Sequence, residues 1–129
     1  MLQGEKQMKV SVLGTEYTVY KKKYCDEPYF EKESVNGYCD PCLKTIVICD
    51  MSTYPGFENE EKMCLAVSER ETLRHEIVHA FLDESGLRSC SLEINCPWVK
   101  NEEMIDWFAL IGPKIYKAWC EVGAIEEGK

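Results

Sequence analysis

Apolar residues near the N-terminus recur at every second position, which is the pattern of a half-buried strand. Val10, Val12, Tyr17 and Val19 follow this alternation on either side of Leu13-Gly14-Thr15, and a Gly-containing pair between two such runs is typical of a tight turn. The chain is therefore predicted to begin with a β-hairpin.

A second strand signal lies at 45–49, where Thr-Ile-Val-Ile-Cys is β-branched and apolar between Pro41 and Asp50. We expect this strand to pair with the hairpin. Residues 25–38 contain Pro28 and Gly37 and are predicted to form an irregular connection. With the hairpin before it and the 45–49 strand after it, residues 8–50 are predicted to be mainly strands.

The pattern changes to a helical period in the second half of the chain. Ser68 and Glu71 have the spacing of a capping box, and Gly86 is a typical C-terminal stop, which predicts a helix over 68–86. Its apolar residues share one broad face: Leu73, Ile77, Val78, Phe81 and Leu82. The preceding segment, 51–63, is acidic and contains Pro55 and Gly56, so we expect a surface loop.

Helical spacing returns at 101–120, but Pro113 predicts a break at Gly112-Pro113, because proline lacks an amide hydrogen and clashes with the preceding turn. Together these elements predict one domain over residues 1–129 in the α+β class. A small antiparallel or mixed sheet would pack against the 68–86 helix and a second helix.

Charge and composition exclude some functions. The 129 residues carry a formal net charge of -8, which repels nucleic-acid backbones and anionic membrane surfaces. No stretch is apolar enough for a membrane span or the apolar core of a signal peptide. We therefore expect a cytoplasmic protein without general nucleic-acid or membrane binding.

The strongest chemical signal is the pentapeptide His75-Glu76-Ile77-Val78-His79, which contains both histidines of the chain. Residues four apart lie on one helical face, so both imidazoles can bind one ion. Zinc suits His nitrogen combined with carboxylate oxygen, and Glu76 is placed to act on bound water. The pattern predicts His75 and His79 as zinc ligands.

The third ligand has to be a carboxylate or a thiolate, because no further histidine exists. Glu102 and Glu103 begin the second predicted helix and are the leading candidates, and a cysteine or another acid is a further alternative. Alternatively, these acidic residues could bind no metal and only stabilise the helix, because negative charges in the first turn interact favourably with the helix dipole.

The arrangement resembles the gluzincin metallopeptidases, in which a second helix supplies a Glu ligand followed four residues later by an Asp that hydrogen-bonds the first histidine. That resemblance implies Glu102 as the third zinc ligand and Asp106 as the residue that orients His75. The run from Asp106 to Ala109 is also similar to a motif of the ImmA/IrrE-like peptidases, small zincins often encoded by phages and mobile elements.

The eight cysteines include one C-x-x-C pair, Cys39 and Cys42. A structural zinc there would need two further ligands, and a redox role normally requires a helix N-terminus. Unliganded thiols are the favoured interpretation, with a second structural zinc, disulfides and redox chemistry as alternatives.

The predicted function is zinc-dependent hydrolysis of a peptide or protein substrate, with Glu76 as general base and acid. The strand at 44–50 is a candidate sheet edge for an extended substrate. Tyr54, Tyr116 and Arg88 are available as oxyanion donors. The alternative is a non-catalytic, zinc-stabilised domain that binds or inhibits a protein partner.

Overall fold

The computed structural model describes residues 6–86, 101–122 and 125, which contain two pairs of consecutive strands, a short helix between the pairs and two long helices after them. The strands are β1 (Lys6–Val12), β2 (Thr15–Lys22), β3 (Gly37–Asp40) and β4 (Thr45–Cys49). The helices are α1 (Pro28–Glu33), α2 (Lys62–Glu84) and α3 (Glu102–Glu121), with short 3-10 turns at Tyr24–Asp26 and Met51–Thr53.

Within the described residues the sheet is mixed and has the order β1-β2-β4-β3. The β1/β2 and β3/β4 pairs are antiparallel, whereas β2 and β4 run parallel. Leu13 and Gly14 connect β1 to β2 with φ of 50° and 85°, and two positive φ angles match the type I′ turn of a two-residue hairpin. The predicted α+β class and N-terminal hairpin are confirmed.

Strand β4 lies between β2 and β3, and Ile46, Val47, Ile48 and Cys49 are all buried. A central strand has both backbone edges paired, so it cannot accept an added strand. The prediction that 44–50 forms a substrate-binding edge is wrong. On this side, β3 is the outermost of the described strands.

Alternate residues of β4 supply two clusters of buried side chains, one on each face of the sheet. Ile46 and Ile48 pack with Val19 and with Ala80 of α2. Val47 and Cys49 pack on the other face in a cluster that includes the buried Phe30 and Met51. Helix α2 thus covers one face, while α1 and the Met51–Thr53 turn cover the other.

The segment predicted to be an irregular connection contains α1 and the start of β3. Helix α1 begins at Pro28, and the Glu27 side chain caps it by accepting a hydrogen bond from the Tyr29 amide at 3.2 Å. Phe30 is fully buried and holds this short helix against the sheet. Tertiary packing, absent from the local sequence signal, stabilises these elements.

Helix α2 begins at Lys62, six residues before the predicted start, so the capping-box assignment is wrong. Ser68 lies inside the helix, where its carbonyl accepts a hydrogen bond from the Thr72 hydroxyl at 3.0 Å. Leu65 packs against the cluster that contains Phe30 and Met51, and this packing stabilises the additional N-terminal turn of the helix. Met51 is buried as well, so residues 51–63 are not simply a loop facing water.

Helix α3 runs without interruption through Pro113, so the predicted break is also wrong. Proline cannot donate to the carbonyl four residues earlier, which belongs to Ala109. That carbonyl instead accepts a hydrogen bond from Nε of Arg74 on α2 at 2.9 Å. A side chain from the neighbouring helix thereby replaces the missing partner and joins α2 to α3.

The two long helices do not resemble membrane segments. Within residues 6–86 and 101–122, no helix combines the length and apolar content that a membrane crossing requires.

Candidate metal centre

Helix α2 brings His75, Glu76 and His79 together on the side that faces α3. The imidazole rings lie 4.9 Å apart between centroids, as expected for residues one helical turn apart. One potential ligand atom from each of the three residues lies within 4.8 Å of the others. His75 and His79 are mostly buried, with side-chain exposures of 17% and 24%.

Helix α3 adds the Glu102 carboxylate to this group. Its oxygens lie 3.0 Å from Nε2 of His75 and 3.3 Å from Nε2 of His79. Two ligands about 2.0–2.1 Å from a tetrahedral zinc are about 3.3 Å apart, so this spacing fits a zinc site. The donor set of two imidazoles and one carboxylate is also one that zinc favours.

Asp106, one turn further along α3, fixes the orientation of the first imidazole. Its carboxylate accepts a hydrogen bond from the Nδ1–H of His75. This interaction selects the tautomer in which the His75 Nε2 lone pair is available to a metal.

Glu76 has a different environment from the other two acids. It is 7% exposed, and burial raises the pKa of its carboxyl to about 7, partly opposed by the nearby His75 and reinforced by Glu102 and Asp106. One carboxylate oxygen lies 3.9 Å from His75 Nε2. Glu102 and Asp106, with side chains 62% and 70% exposed, lie on the solvent side of the group.

Close packing between β3 and α2 positions this group at the edge of the sheet. A Cβ at Gly37 would lie 2.6 Å from Cγ2 of Thr72 and 3.6 Å from Cγ of Glu76. A larger residue at this position would require Thr72 or the strand to shift, so glycine suits this close approach.

The potential ligands open into a cavity of about 710 Å³, a size typical of ligand-binding clefts. Its lining includes His75, Glu76, His79, Glu102 and Asp106. It also includes residues of β3 and aromatic residues from three separate segments: Tyr29, Tyr38, Tyr54 and Phe57.

The structure brings five predicted site residues together: His75, Glu76, His79, Glu102 and Asp106. Glu103 is exposed and does not line the cavity. Of the proposed oxyanion donors, Tyr54 lines the cavity and Tyr116 does not, while Arg88 lies outside the described residues. Tyr29, Tyr38 and Phe57 also line the cavity, and no motif in their segments predicted this.

The cysteines form no comparable group in the part of the chain that the structure describes, where no cluster of three potential ligands includes a thiol. The possible structural zinc at Cys39 and Cys42 therefore gains no support there. Free thiols are present at Cys25, Cys42, Cys49, Cys64 and Cys120. Burial raises the pKa of Cys49 to about 11, which leaves it a protonated core residue.

Comparisons with protein-family models, curated proteins and solved structures give no match. Arguments about function therefore depend on the geometry and chemistry of the candidate metal centre.

Proposed function

We propose that this chain is a zinc-dependent hydrolase that cleaves peptide bonds in a peptide or protein substrate. The observation that carries the proposal is the meeting of two helices at one cavity: His75 and His79 from α2, and Glu102 from α3, with Glu76 beside them. This donor set with an adjacent carboxylate matches the needs of metal-assisted hydrolysis.

The residues divide into holding and proton-transfer roles. His75, His79 and Glu102 hold the ion, and Asp106 keeps His75 in the binding tautomer. Zinc bound there would polarise the substrate carbonyl and lower the pKa of a water molecule. Glu76 accepts a proton from the attacking water and later donates the same proton to the leaving amine. Glu76 therefore ends the reaction in the ionisation state in which it began.

The cavity favours catalysis over the alternative of a purely structural zinc. A structural site is normally closed by four protein ligands, whereas the proposed set contains three and adjoins a cavity of about 710 Å³. Glu76 is the additional carboxylate within reach, and its role separates the two functions. A glutamine there preserves shape but cannot accept a proton.

Strand β3 suits the binding of an extended peptide backbone. The Asn36 carbonyl accepts from the Cys49 amide at 2.9 Å, and neighbouring residues of a strand alternate in direction. The backbone groups of Gly37 therefore point away from β4, and Gly37 lines the cavity. A peptide beside β3 would place a scissile amide near His75 and Glu76.

The metal assignment is tested by elemental analysis of purified variants. Wild type and Glu76→Gln should each hold one zinc per chain, whereas His79→Ala and Glu102→Ala should lose it. Glu103→Ala is the matched control, because Glu103 adjoins Glu102 but does not line the cavity. Full zinc retention in a folded His79→Ala protein would refute the assignment.

Catalysis is tested by incubating the zinc-loaded proteins with peptides from a digested host lysate and identifying new termini by mass spectrometry. Wild type and Glu103→Gln should give the same new termini, and Glu76→Gln should give none. If Glu76→Gln retains zinc and wild type produces no additional termini, the structural-zinc alternative replaces the hydrolase.

A further inference from the structure

We infer that the aromatic residues lining the cavity, Tyr29, Tyr38, Tyr54 and Phe57, form a substrate subsite that selects an aromatic or large aliphatic side chain next to the cleaved bond. This inference rests on the proposed function and extends it to substrate class. Its physical basis is the combination of aromatic walls, fixed supporting groups and the charge of the cavity.

The walls present apolar ring surface to the cavity. Tyr29 and Tyr38 lie 4.7 Å apart between ring centroids, and Tyr54 meets Phe57 edge-on at 5.7 Å. Tyr29 lines the cavity and is 42% exposed, so much of its ring surface is accessible to a ligand and not buried in the core. Aromatic walls favour another ring through stacked or edge-on contacts.

Hydrogen bonds hold these walls in place. The Tyr38 hydroxyl donates a hydrogen bond to the Glu27 carboxylate at 2.8 Å. This bond fixes the Tyr38 ring and holds its hydroxyl against Glu27, which does not line the cavity. Glu69 accepts from the Met51 amide at 2.9 Å and pairs with Lys21 at 2.6 Å. This anchors the turn that leads to Tyr54, and a preformed pocket loses less entropy on binding.

The charge of the cavity excludes acidic side chains. Four carboxylates line it, from Glu71, Glu76, Glu102 and Asp106, and the described lining residues include no lysine or arginine. When ionised, four carboxylates exceed the charge of one divalent cation, so an Asp or Glu side chain of the substrate would be repelled. Its charge therefore excludes acidic side chains, while the preference for an apolar side chain comes from the aromatic rings.

Binding is measured first without turnover. Zinc-loaded Glu76→Gln protein is titrated with N-acetylphenylalaninamide and N-acetylalaninamide by NMR. We expect the phenylalanine amide to bind at least about 10-fold more tightly. Tyr29→Ala and Tyr54→Ala, each added to this background, should reduce that preference about 3- to 10-fold.

The matched control is Trp119→Ala, which removes a half-exposed aromatic residue that does not line the cavity. It should leave the preference unchanged. Tyr29→Ala keeps the test decisive if Tyr54→Ala does not fold, because the Tyr29 side chain is substantially exposed.

Cleavage of a lysate-derived peptide mixture supplies the second measurement. New termini should be enriched in Phe, Tyr, Leu or Met at one position flanking the cleaved bond and depleted of Asp and Glu there. Equal binding of the two amides by zinc-loaded protein, or cleavage without this enrichment, would overturn the subsite alone. Loss of zinc binding or of Glu76-dependent cleavage would overturn the proposed function with it.

Discussion

The contact between Arg74 and the Ala109 carbonyl provides a quantitative test of how α2 and α3 are joined. Arg74→Met retains much of the aliphatic stem but removes the donor at 2.9 Å. The buried Ala109 carbonyl then has neither this partner nor an amide from Pro113. Hydrogen bonds to charged groups contribute about 1.5–3 kcal/mol, and partial exposure of Arg74 favours a loss of about 1.5 kcal/mol.

Pro113→Ala changes the size of that loss, because an alanine at this position restores the amide that normally pairs with residue 109. This substitution alone should stabilise the protein by removing a ring clash and adding a helical hydrogen bond. In the Pro113→Ala background, Arg74→Met should cost only about 0.5 kcal/mol. The expected coupling in the double-mutant cycle is therefore about 1 kcal/mol.

Urea denaturation followed by far-UV circular dichroism, with a chelator present, measures all four proteins independently of metal. Arg70→Met is the matched control, since Arg70 lies one turn earlier on α2 and is exposed. Its effect should remain within about 0.5 kcal/mol. An Arg74→Met cost that is equal in both backgrounds would refute the proposed replacement of the proline amide.

Three further predictions concern the site, an ion pair and a close contact. Asp106→Ala should weaken zinc binding by about 10- to 100-fold in a chelator competition, since His75 loses its orienting partner. Glu84→Gln should lower stability at pH 7, because hydrogen bonds from Lys44 and Tyr17 depress the Glu84 pKa to about 2. Gly37→Ala should cost about 1–3 kcal/mol through its clash with Thr72, and Thr72→Ser should recover part of that loss.

The pH dependence expected for Glu84→Gln follows from the lowered pKa of the Glu84 carboxyl. The folded pKa of Glu84 lies below the usual value of about 4.3. Its stabilising effect is therefore complete above about pH 5 and disappears as the pH falls toward 2. Urea midpoints of wild type and Glu84→Gln should converge over that range, and a constant difference would contradict the pairing.

The other two predictions have equally direct refutations. Unchanged zinc affinity in Asp106→Ala would leave Asp106 as an exposed helix acid without a role at the metal. If Thr72→Ser gives no recovery in the Gly37→Ala background, the contact with Cγ2 is not the source of strain. Urea midpoints of the single and double variants measure this difference.

The β1/β2 hairpin and strand β4 could be predicted from the sequence because residues within each element determine its structure. The β1/β2 hairpin has alternating apolar residues around a turn, and Thr45–Cys49 is a β-branched apolar run. Strand β3 and helix α1 were missed because they are short and carry no periodic apolar pattern. Pairing with β4 stabilises β3. Packing of Phe30 against Val47, Cys49 and Met51 stabilises α1, and those partners lie outside the sequence of the helix.

Long-range contacts also explain the errors in helix boundaries. The Ser68–Glu71 pattern resembles a helix start, but packing of Leu65 extends α2 to Lys62. Pro113 predicts a break, but Arg74, distant in sequence, supplies the missing donor. Neither interaction has a signature within a few residues of the element that it changes.

The candidate site divides in the same way. The spacing of His75 and His79 follows from helical periodicity and could be predicted directly. Glu102 and Asp106 depended on a family resemblance, since helix packing decides which acids of α3 approach α2. The aromatic residues that line the cavity come from α1, β3 and the loop after β4, and only the assembled fold brings these segments together.

The strand order has a consequence for how the chain folds. Each antiparallel half of the sheet is a local hairpin, whereas the parallel pairing of β2 with β4 joins residues distant in sequence, such as Val19 and Ile46. Loop-closure entropy opposes this pairing until its contacts form. Truncating Ile46 should therefore slow refolding in a chevron measurement more than truncating Val10, and the sheet edge beside the candidate metal centre becomes fixed only when the two hairpins associate.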